Sequence, residues 1–338
     1  MIVEMKTGAT NDDVRRVVER AESLGLEIQM NYGTNKTVVA ILGSITGQLP
    51  ADTFAVLPNV ENVVRIMKPY KLASRDFRLE DSVVTVGDLQ IGGRQLVVMA
   101  GPCAVESREQ LMATAMAVKK AGASVVRGGA FKPRTSPFSF QGLRKAGLEL
   151  LAEVQTTAGI PVVTEVVDSS QVGMVSQHAA ILQVGARNMQ NFSLLQRIGK
   201  SKRPVVLKRG YSATVAEWLT AADYLLAEGN EQVILCERGI RAFEDSVRFS
   251  LDISSIAVVK KSSHLPVIVD PSHAAGHRDL VPALARAAVA AGADGLLIEV
   301  HPNPEEALVD GLQSLAIPDF EALMNALRPI AESVGRKI

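Results

Sequence analysis

The sequence is short of several things, and each shortage excludes a class of protein. Two cysteines in 338 residues, Cys103 and Cys236, cannot build a disulfide framework, so a reducing compartment is expected. Aromatic residues make up 4% of the chain, too few for the stacking platforms that hold single-stranded nucleic acid. The 36 basic and 36 acidic residues cancel, leaving no general field for nucleic acid or an anionic membrane. No uncharged apolar run approaches the ~20 residues of a membrane span. The opening MIVEMKTGATNDD lacks the basic-then-apolar order of a secretion signal. A cytoplasmic protein with no nucleic-acid or membrane partner is expected. Any anionic ligand must be met by a local cluster of arginine and lysine.

What is present is 47% hydrophobic residues, enough for one large core and a small appendage. The N-terminal part carries short alternating elements. Ile2 to Lys6 reads as a strand. Thr10 can cap a helix in which Val14, Val17, Val18, Ala21 and Leu24 recur at helical spacing before Gly25 stops it. A weak strand at Glu27 to Met30, a polar turn from Asn31 to Lys36 and an apolar strand at Thr37 to Leu42 follow. A helical stretch near Phe54 and a strand from Val60 to Met67 complete a βαββαβ pattern, a ferredoxin-like sandwich over residues 1–70. It carries no cluster of ligands or acid/base groups, so a packing, oligomerisation or regulatory module is expected. Residues 71–94 read as a polar linker and a small hairpin, Val83 to Val86 and Gln90 to Gly93, turning at Gly87 and Asp88.

From residue 95 to 338 one unit repeats: a continuous β-branched run, a polar loop, then an amphipathic helix. The runs are LVVMA from Leu96, SVVRG from Ser124, PVVTEV from Pro161 and ILQVGA from Ile181. PVVLKRG from Pro204, VILCERG from Val233, PVIVDPSH from Pro266 and GLLIEVH from Gly295 bring the count to eight. Strands that are apolar throughout suit a sheet covered on both faces. Spacings of roughly 20–37 residues leave room for one crossover helix each. Eight such units predict a (β/α)8 barrel, with a doubly wound open sheet as the alternative. The absence of a dinucleotide glycine fingerprint counts against that alternative.

In a barrel, chemistry sits at the C-terminal ends of the strands. Those ends carry Cys103, Arg127, Lys132, Glu165, Arg187, Lys208 with Arg209, Glu237 with Arg238, Asp270 with His273, and Glu299 with His301. Arg127, Lys132, Arg187, Lys208 and Arg238 would converge as a cationic cup that repels itself unless a small, multiply charged anion fills it. Cys103, His273 and Glu299 offer sulfur, nitrogen and oxygen donors for a divalent transition ion, Mn, Fe, Co, Zn or Cd. Spacing alone leaves Asp310 open as a fourth. Cys236, inside an apolar run, reads as core. The segment FKPRTSPFSFQG, with Lys132, Arg134, Thr135 and Ser136, suits a phosphate monoester on a second substrate.

At these residues the chain resembles the 3-deoxy-D-arabino-heptulosonate 7-phosphate (DAHP) synthases, type Iβ branch. The motifs are AGPCAVES from Ala100, RGGAFKPRTSPFSFQG from Arg127, QVGARNMQN from Gln183, LKRG from Leu207, CERG from Cys236, DPSHAAG from Asp270 and EVHPNPEEALVDG from Glu299. The resemblance spans the whole barrel, and the N-terminal module resembles the regulatory domain of some members. It implies a metal on Cys103, His273, Glu299 and Asp310, and supplies the last of these. It implies phosphoenolpyruvate on Arg127, Lys132, Arg187, Lys208 and Arg238, and erythrose 4-phosphate against Arg134, Thr135 and Ser136. Lys132, Cys103, His273 and Asp270 then form the catalytic set of the first step of the shikimate pathway to aromatic amino acids. Feedback by tyrosine or phenylalanine and a homotetramer are implied in the same way. The related 3-deoxy-D-manno-octulosonate 8-phosphate synthases, which use arabinose 5-phosphate, carry Asn-Arg-Ser-Ser where this chain has KPRTS and lack the N-terminal module. A non-catalytic phosphometabolite sensor is a further alternative. His277 departs from the common residue of the family at its position.

Overall fold

The computed structural model describes residues 1–338 apart from 34–35, 44, 47–48, 65–67 and 134–135. The chain divides into two compact units, Met1–Asp81 with Ser262–His264, and Ser82–Lys261 with Leu265–Ile338.

The first unit runs β1 (Ile2–Met5), α1 (Asn11–Ser23), β2 (Glu27–Tyr32), β3 (Thr37–Leu42), α2 (Asp52–Ala55) and β4 (Val60–Val64). Its strands form one antiparallel sheet in the order β2-β3-β1-β4, the ferredoxin-like arrangement. Thr10 caps α1. Its hydroxyl accepts from the Asp13 amide at 3.3 Å, and the Asp13 carboxylate accepts from the Thr10 amide at 2.9 Å, which satisfies two donors that the first turn leaves open. The apolar face of α1 then lays Val17 and Ala21 against Val3, Met5, Val39 and Ile41, with Phe54 of α2 in the same core. Strand β2 is longer than expected. It pairs with β3 as far as Tyr32 opposite Thr37. The ladder uses backbone groups, and a polar residue such as Asn31 does not prevent it. The expected continuation of β4 to Met67 lies outside the described residues.

The second unit opens with the hairpin β5 (Val84–Val86) and β6 (Leu89–Ile91). There follow β7 (Val97–Gly101), α3 (Arg108–Ala121), β8 (Val125–Arg127), α4 (Lys145–Thr157), β9 (Val162–Glu165), α5 (Val172–His178), β10 (Ile181–Val184) and α6 (Phe192–Lys200). The second half comprises β11 (Val205–Lys208), α7 (Val215–Ala227), β12 (Val233–Glu237), α8 (Ile253–Ser262), β13 (Val267–Val269), α9 (Pro271–Ala275), α10 (Val281–Ala290), β14 (Gly295–Glu299) and α11 (Ile317–Ser333). Strands β7 to β14 are parallel to their neighbours. The pairing of β14 with β7, from Gly295 opposite Val97 to Glu299 opposite Gly101, closes them into a (β/α)8 barrel.

Side chains alternate between the two faces of a strand. The inward ones, including Val97, Met99, Val125, Val163, Ile181, Val206, Ile234, Ile268 and Leu297, form one buried cluster, and Cys236 is part of it. The hairpin belongs with this unit because Val84 and Ile91 are fully buried in the same cluster. Thr85 N donates to Gln232 Oε1 at 3.1 Å, just before β12, and a Cβ on Gly92 would stand 3.1 Å from Pro266, just before β13. The hairpin therefore plugs the N-terminal end of the barrel and leaves the C-terminal end for chemistry.

In the first unit the ring of His264 is buried and donates from Nε2 to the Leu72 carbonyl at 2.7 Å. Burial lowers its pKa from 6.5 to about 4. The unfolded chain takes up a proton below about pH 6.5 that the native ring refuses, so this stabilisation is complete above that pH and is lost as pH falls toward 4. Between pH 7 and pH 4.5 the wild type should lose about 2–3 kcal/mol more stability than His264→Gln. Chemical denaturation of both proteins at the two pH values measures this, and parallel losses would contradict it.

Candidate active site

Following the inward face of each strand one step beyond the apolar cluster changes its chemistry. Val125 is succeeded by Arg127, Val163 by Glu165, Ile181 by Gln183 and Val206 by Lys208. Cys236 is succeeded by Arg238, Ile268 by Asp270 and Leu297 by Glu299. One layer of ionisable and polar side chains thus lies directly on the core at the C-terminal end. On β7 the corresponding residue is Gly101. Its φ is +153°, and a Cβ there would stand 2.2 Å from the Arg127 carbonyl oxygen, so only glycine lets the two chains meet.

The same alternation turns Arg209 and Glu237 away from the mouth, although both stand at strand ends. Arg209 Nη1 reaches Glu237 Oε2 at 2.9 Å and Asp252 Oδ2 at 2.8 Å, and Nε donates to the Ala213 carbonyl at 2.8 Å. This pair braces the wall from outside. His301 likewise stands apart from the cationic residues, 3.3 Å from Glu106 Oε2.

Two charge pairs cross the mouth. Arg127 Nη1 lies 2.7 Å from Glu299 Oε1, and Lys208 Nζ is bonded to Asp270 Oδ2, with all four side chains buried. Burial alone would raise the pKa of Glu299, but His273, Arg127 and Lys132 outweigh it and hold the carboxyl at about 2. Asp270 is held well below the usual carboxylate range against the same burial by His273 and Lys208.

Cys103, His273, Glu299 and Asp310 place one donor atom each within 4.8 Å of one another. Cys103 Sγ donates to Asp310 Oδ2 at 3.1 Å, and His273 Nε2 lies 3.4 Å from Glu299 Oε1. Asp270 Oδ2 sits 2.7 Å from His273 Nδ1, and its Oδ1 accepts from the His273 amide at 2.9 Å. The His273 ring thus lies between Asp270 on its Nδ1 side and Glu299 on its Nε2 side, with a carboxylate behind it as metal-binding histidines commonly have. Burial and the nearby Glu299 raise the Cys103 pKa. A sulfur, an imidazole nitrogen and two carboxylates fit a divalent transition ion, and the four residues could hold one.

Beside this cluster is a cavity of about 280 Å³, lined among others by Lys132, Ser136, Glu165, Arg187, Arg238 and His273. Lys132 Nζ donates to the Cys103 carbonyl at 3.0 Å. Arg127 Nε and Arg238 Nη1 are buried nitrogens without a hydrogen-bond partner among the described residues. A buried donor left unpaired costs about 1–3 kcal/mol, so the mouth is built to receive acceptors. Arg134 and Thr135 lie outside the described residues. The structure thus brings together the five expected cations, Ser136 and the four expected donors, and adds residues that sequence reasoning missed. Tyr211 and Phe249 stack at 4.9 Å, and the Arg238 guanidinium lies 4.8 Å and 4.2 Å from their ring centroids. Arg248 lines the cavity near Asp310. Tyr211 directly follows LKRG in a chain poor in aromatics, a signal that was available. Arg248 stands in an irregular loop with no strand register to point it inward.

A sequence profile of the DAHP synthetase I family matches residues 76–334, and one of the DAHP synthase ferredoxin-like domain matches residues 1–68. The chain belongs to the DAHP synthetase I family. A phospho-2-dehydro-3-deoxyheptonate aldolase of Thermotoga maritima is 49% identical over 338 residues, the full length of both chains. A crystal structure of a Thermotoga maritima protein of that name superposes with a TM-score of 0.80, covering 99% of this chain and 98% of the other. A 2-dehydro-3-deoxyphosphooctonate aldolase of Nitrosococcus oceani is 33% identical over 259 residues, 71% of this chain and 91% of that one. The family's barrel match contains every element of the mouth described above.

The cations differ in how they are compensated, which a stability measurement can read. Removing Lys208 leaves Asp270 buried with a missing partner, whereas Arg238 has no carboxylate ion pair among the described residues. Lys208→Met should cost about 3–5 kcal/mol, and Arg238→Met should change stability by about 1 kcal/mol or less, its lost ring contacts offset by relief of desolvation. Equal losses in denaturant titrations would contradict this division.

Proposed function

We propose that this chain is a DAHP synthase that condenses phosphoenolpyruvate with erythrose 4-phosphate and water, giving DAHP and inorganic phosphate. The observation that carries the reading is the meeting, at one barrel mouth, of unpaired buried guanidinium donors with a mixed sulfur, nitrogen and oxygen cluster. An anion and a metal are each called for, and they are called for side by side.

Arg127, Lys132, Arg187, Lys208 and Arg238 bind phosphoenolpyruvate and replace its water shell with fixed charges. Cys103, His273, Glu299 and Asp310 would hold a divalent metal, which would supply Lewis-acid polarisation of the aldehyde. Carbon 3 of phosphoenolpyruvate attacks the aldehyde carbon, and the new C–C bond leaves positive charge at carbon 2. Water adds there and loses a proton, and phosphate departs by C–O cleavage to leave the ketone. Lys132, reaching into the cavity from β8's loop, gives a proton to the new alkoxide. Asp270 serves by orientation, since both of its oxygens are engaged by Lys208 and His273. The water is positioned in the His273 region. Arg134, Thr135 and Ser136 meet the phosphate of the aldose. The ferredoxin-like unit is read as the seat of feedback by an aromatic amino acid, tyrosine or phenylalanine, in a homotetramer.

The runner-up is condensation with arabinose 5-phosphate. A phosphate-release assay with each aldose decides between them: erythrose 4-phosphate should be preferred by about 10-fold or more in kcat/KM, the low end of what a one-carbon size difference supports in a shaped pocket. Preference for the five-carbon sugar would overturn the substrate assignment, and no turnover with either would favour a sensor. Chelation should abolish condensation and Mn²⁺ should restore it. Cys103→Ala should stay folded and fail to bind Mn²⁺ at wild-type stoichiometry. Activity that survives exhaustive chelation would end the metal reading.

A further inference from the structure

The connection between β12 and α8 is long, yet it is tied down at several points. Ile240 and Ser250 exchange backbone hydrogen bonds of 2.9 and 3.0 Å. Arg248 N and Phe249 N then donate to the carbonyls of Ala275 and Ala274 at 3.1 and 2.9 Å. The returning arm therefore runs along α9, the short helix that carries His273. Gly276 permits the close approach, for a Cβ there would stand 2.6 Å from the Arg248 Cβ.

From that arm Arg248 Nη1 donates to Gln313 Oε1 at 2.8 Å and lies 3.5 Å from Asp310 Oδ1. Gln313 is 2% exposed. Its other end, Nε2, donates to Glu299 Oε2 at 2.6 Å. Arginine can only donate and a carboxylate can only accept, so the amide between them has one allowed orientation. Glu299 then has both oxygens engaged, Oε2 by Gln313 and Oε1 by Arg127. Asp310, which precedes the turn Gly311–Gln313, is held at the same time with φ at +56°, a strained conformation for a residue with a side chain.

We propose that Gln313 and Arg248 are positioning residues for the cluster of Cys103, His273, Glu299 and Asp310, setting the two carboxylates where a divalent ion needs them. The proposal rests on the metal reading of that cluster. Arg248 also borders the substrate cavity, and its neighbour Phe249 lies against Arg238. The loop therefore joins the metal cluster to the anion cup through contiguous contacts, and Gln313, outside the loop, links its Arg248 to Glu299 of the cluster and does not itself line the cavity.

The test is titration of the chelated, metal-free full chain with Co²⁺, following the absorption of the cobalt–thiolate bond to Cys103. The wild type should bind Co²⁺ with that band. Gln313→Leu should raise the Co²⁺ Kd on the order of 10-fold or more, the scale on which partners of metal ligands act, while the KM for phosphoenolpyruvate stays within about twofold. Arg248→Met should also weaken Co²⁺, and Arg248→Lys, which keeps a donor, should recover most of the loss. An unchanged Kd and spectrum in Gln313→Leu overturns the proposal. If the leucine variant does not fold, Arg248→Met, altered at a side chain that is 37% exposed, decides it by the same criterion. Wild-type protein that shows no thiolate band would remove the metal reading itself, and the positioning roles with it.

Discussion

A barrel interior cannot carry charge without compensation, and that constraint organises the whole C-terminal end of this protein. Arg127 and Lys208 are admitted because Glu299 and Asp270 accompany them. Isolated buried charges of this kind would cost several kcal/mol each. Once those pairs are formed, the remaining donors, Arg127 Nε and Arg238 Nη1, have nothing within the described residues to satisfy them. The mouth is polarised toward an anion by what the pairs leave over. The same carboxylates serve twice, since Glu299 neutralises Arg127 and stands in the cluster with Cys103, His273 and Asp310.

The period of two along each strand does the sorting. Lys208 and Arg238 face inward, and their neighbours Arg209 and Glu237 face outward and pair with each other. One stretch of three or four residues, Val206 to Arg209 or Cys236 to Arg238, therefore supplies a core side chain, an inward cation and an external brace. The hairpin of β5 and β6 fills the opposite end of the barrel with Val84 and Ile91. The charged and polar layer is thereby left at the other end.

Much of this was legible in the sequence for a definite reason. Parallel strands buried on both faces must be apolar throughout, so eight such runs stand out. Polar residues at their ends stand out equally, because nothing in a core calls for them. Cys236 could be set aside as core by its apolar neighbours alone. Other residues gave no such signal. Asp310 sits in an irregular turn and was reached only through family resemblance. Arg248 and Gln313 belong to loops with no periodicity, so their approach to Glu299 and Asp310 depends on how separate segments fold back. Strand β2 exceeds its sequence expectation because pairing to β3 stabilises it through the backbone, which composition does not register.

Residue pattern alone carries the class of fold, the barrel end at which charged side chains collect and their chemical types. Those follow from burial and from the cost of charge, both of which act residue by residue. The folded chain settles the rest: which of two adjacent charged residues enters the mouth, which cations are compensated and which remain open, and how Arg248 and Gln313 reach the cluster. These depend on register and on contacts between residues far apart in the chain, such as Arg127 with Glu299 and Arg248 with Gln313. Distances of that kind are set by the closing of the barrel, and local pattern carries no record of them.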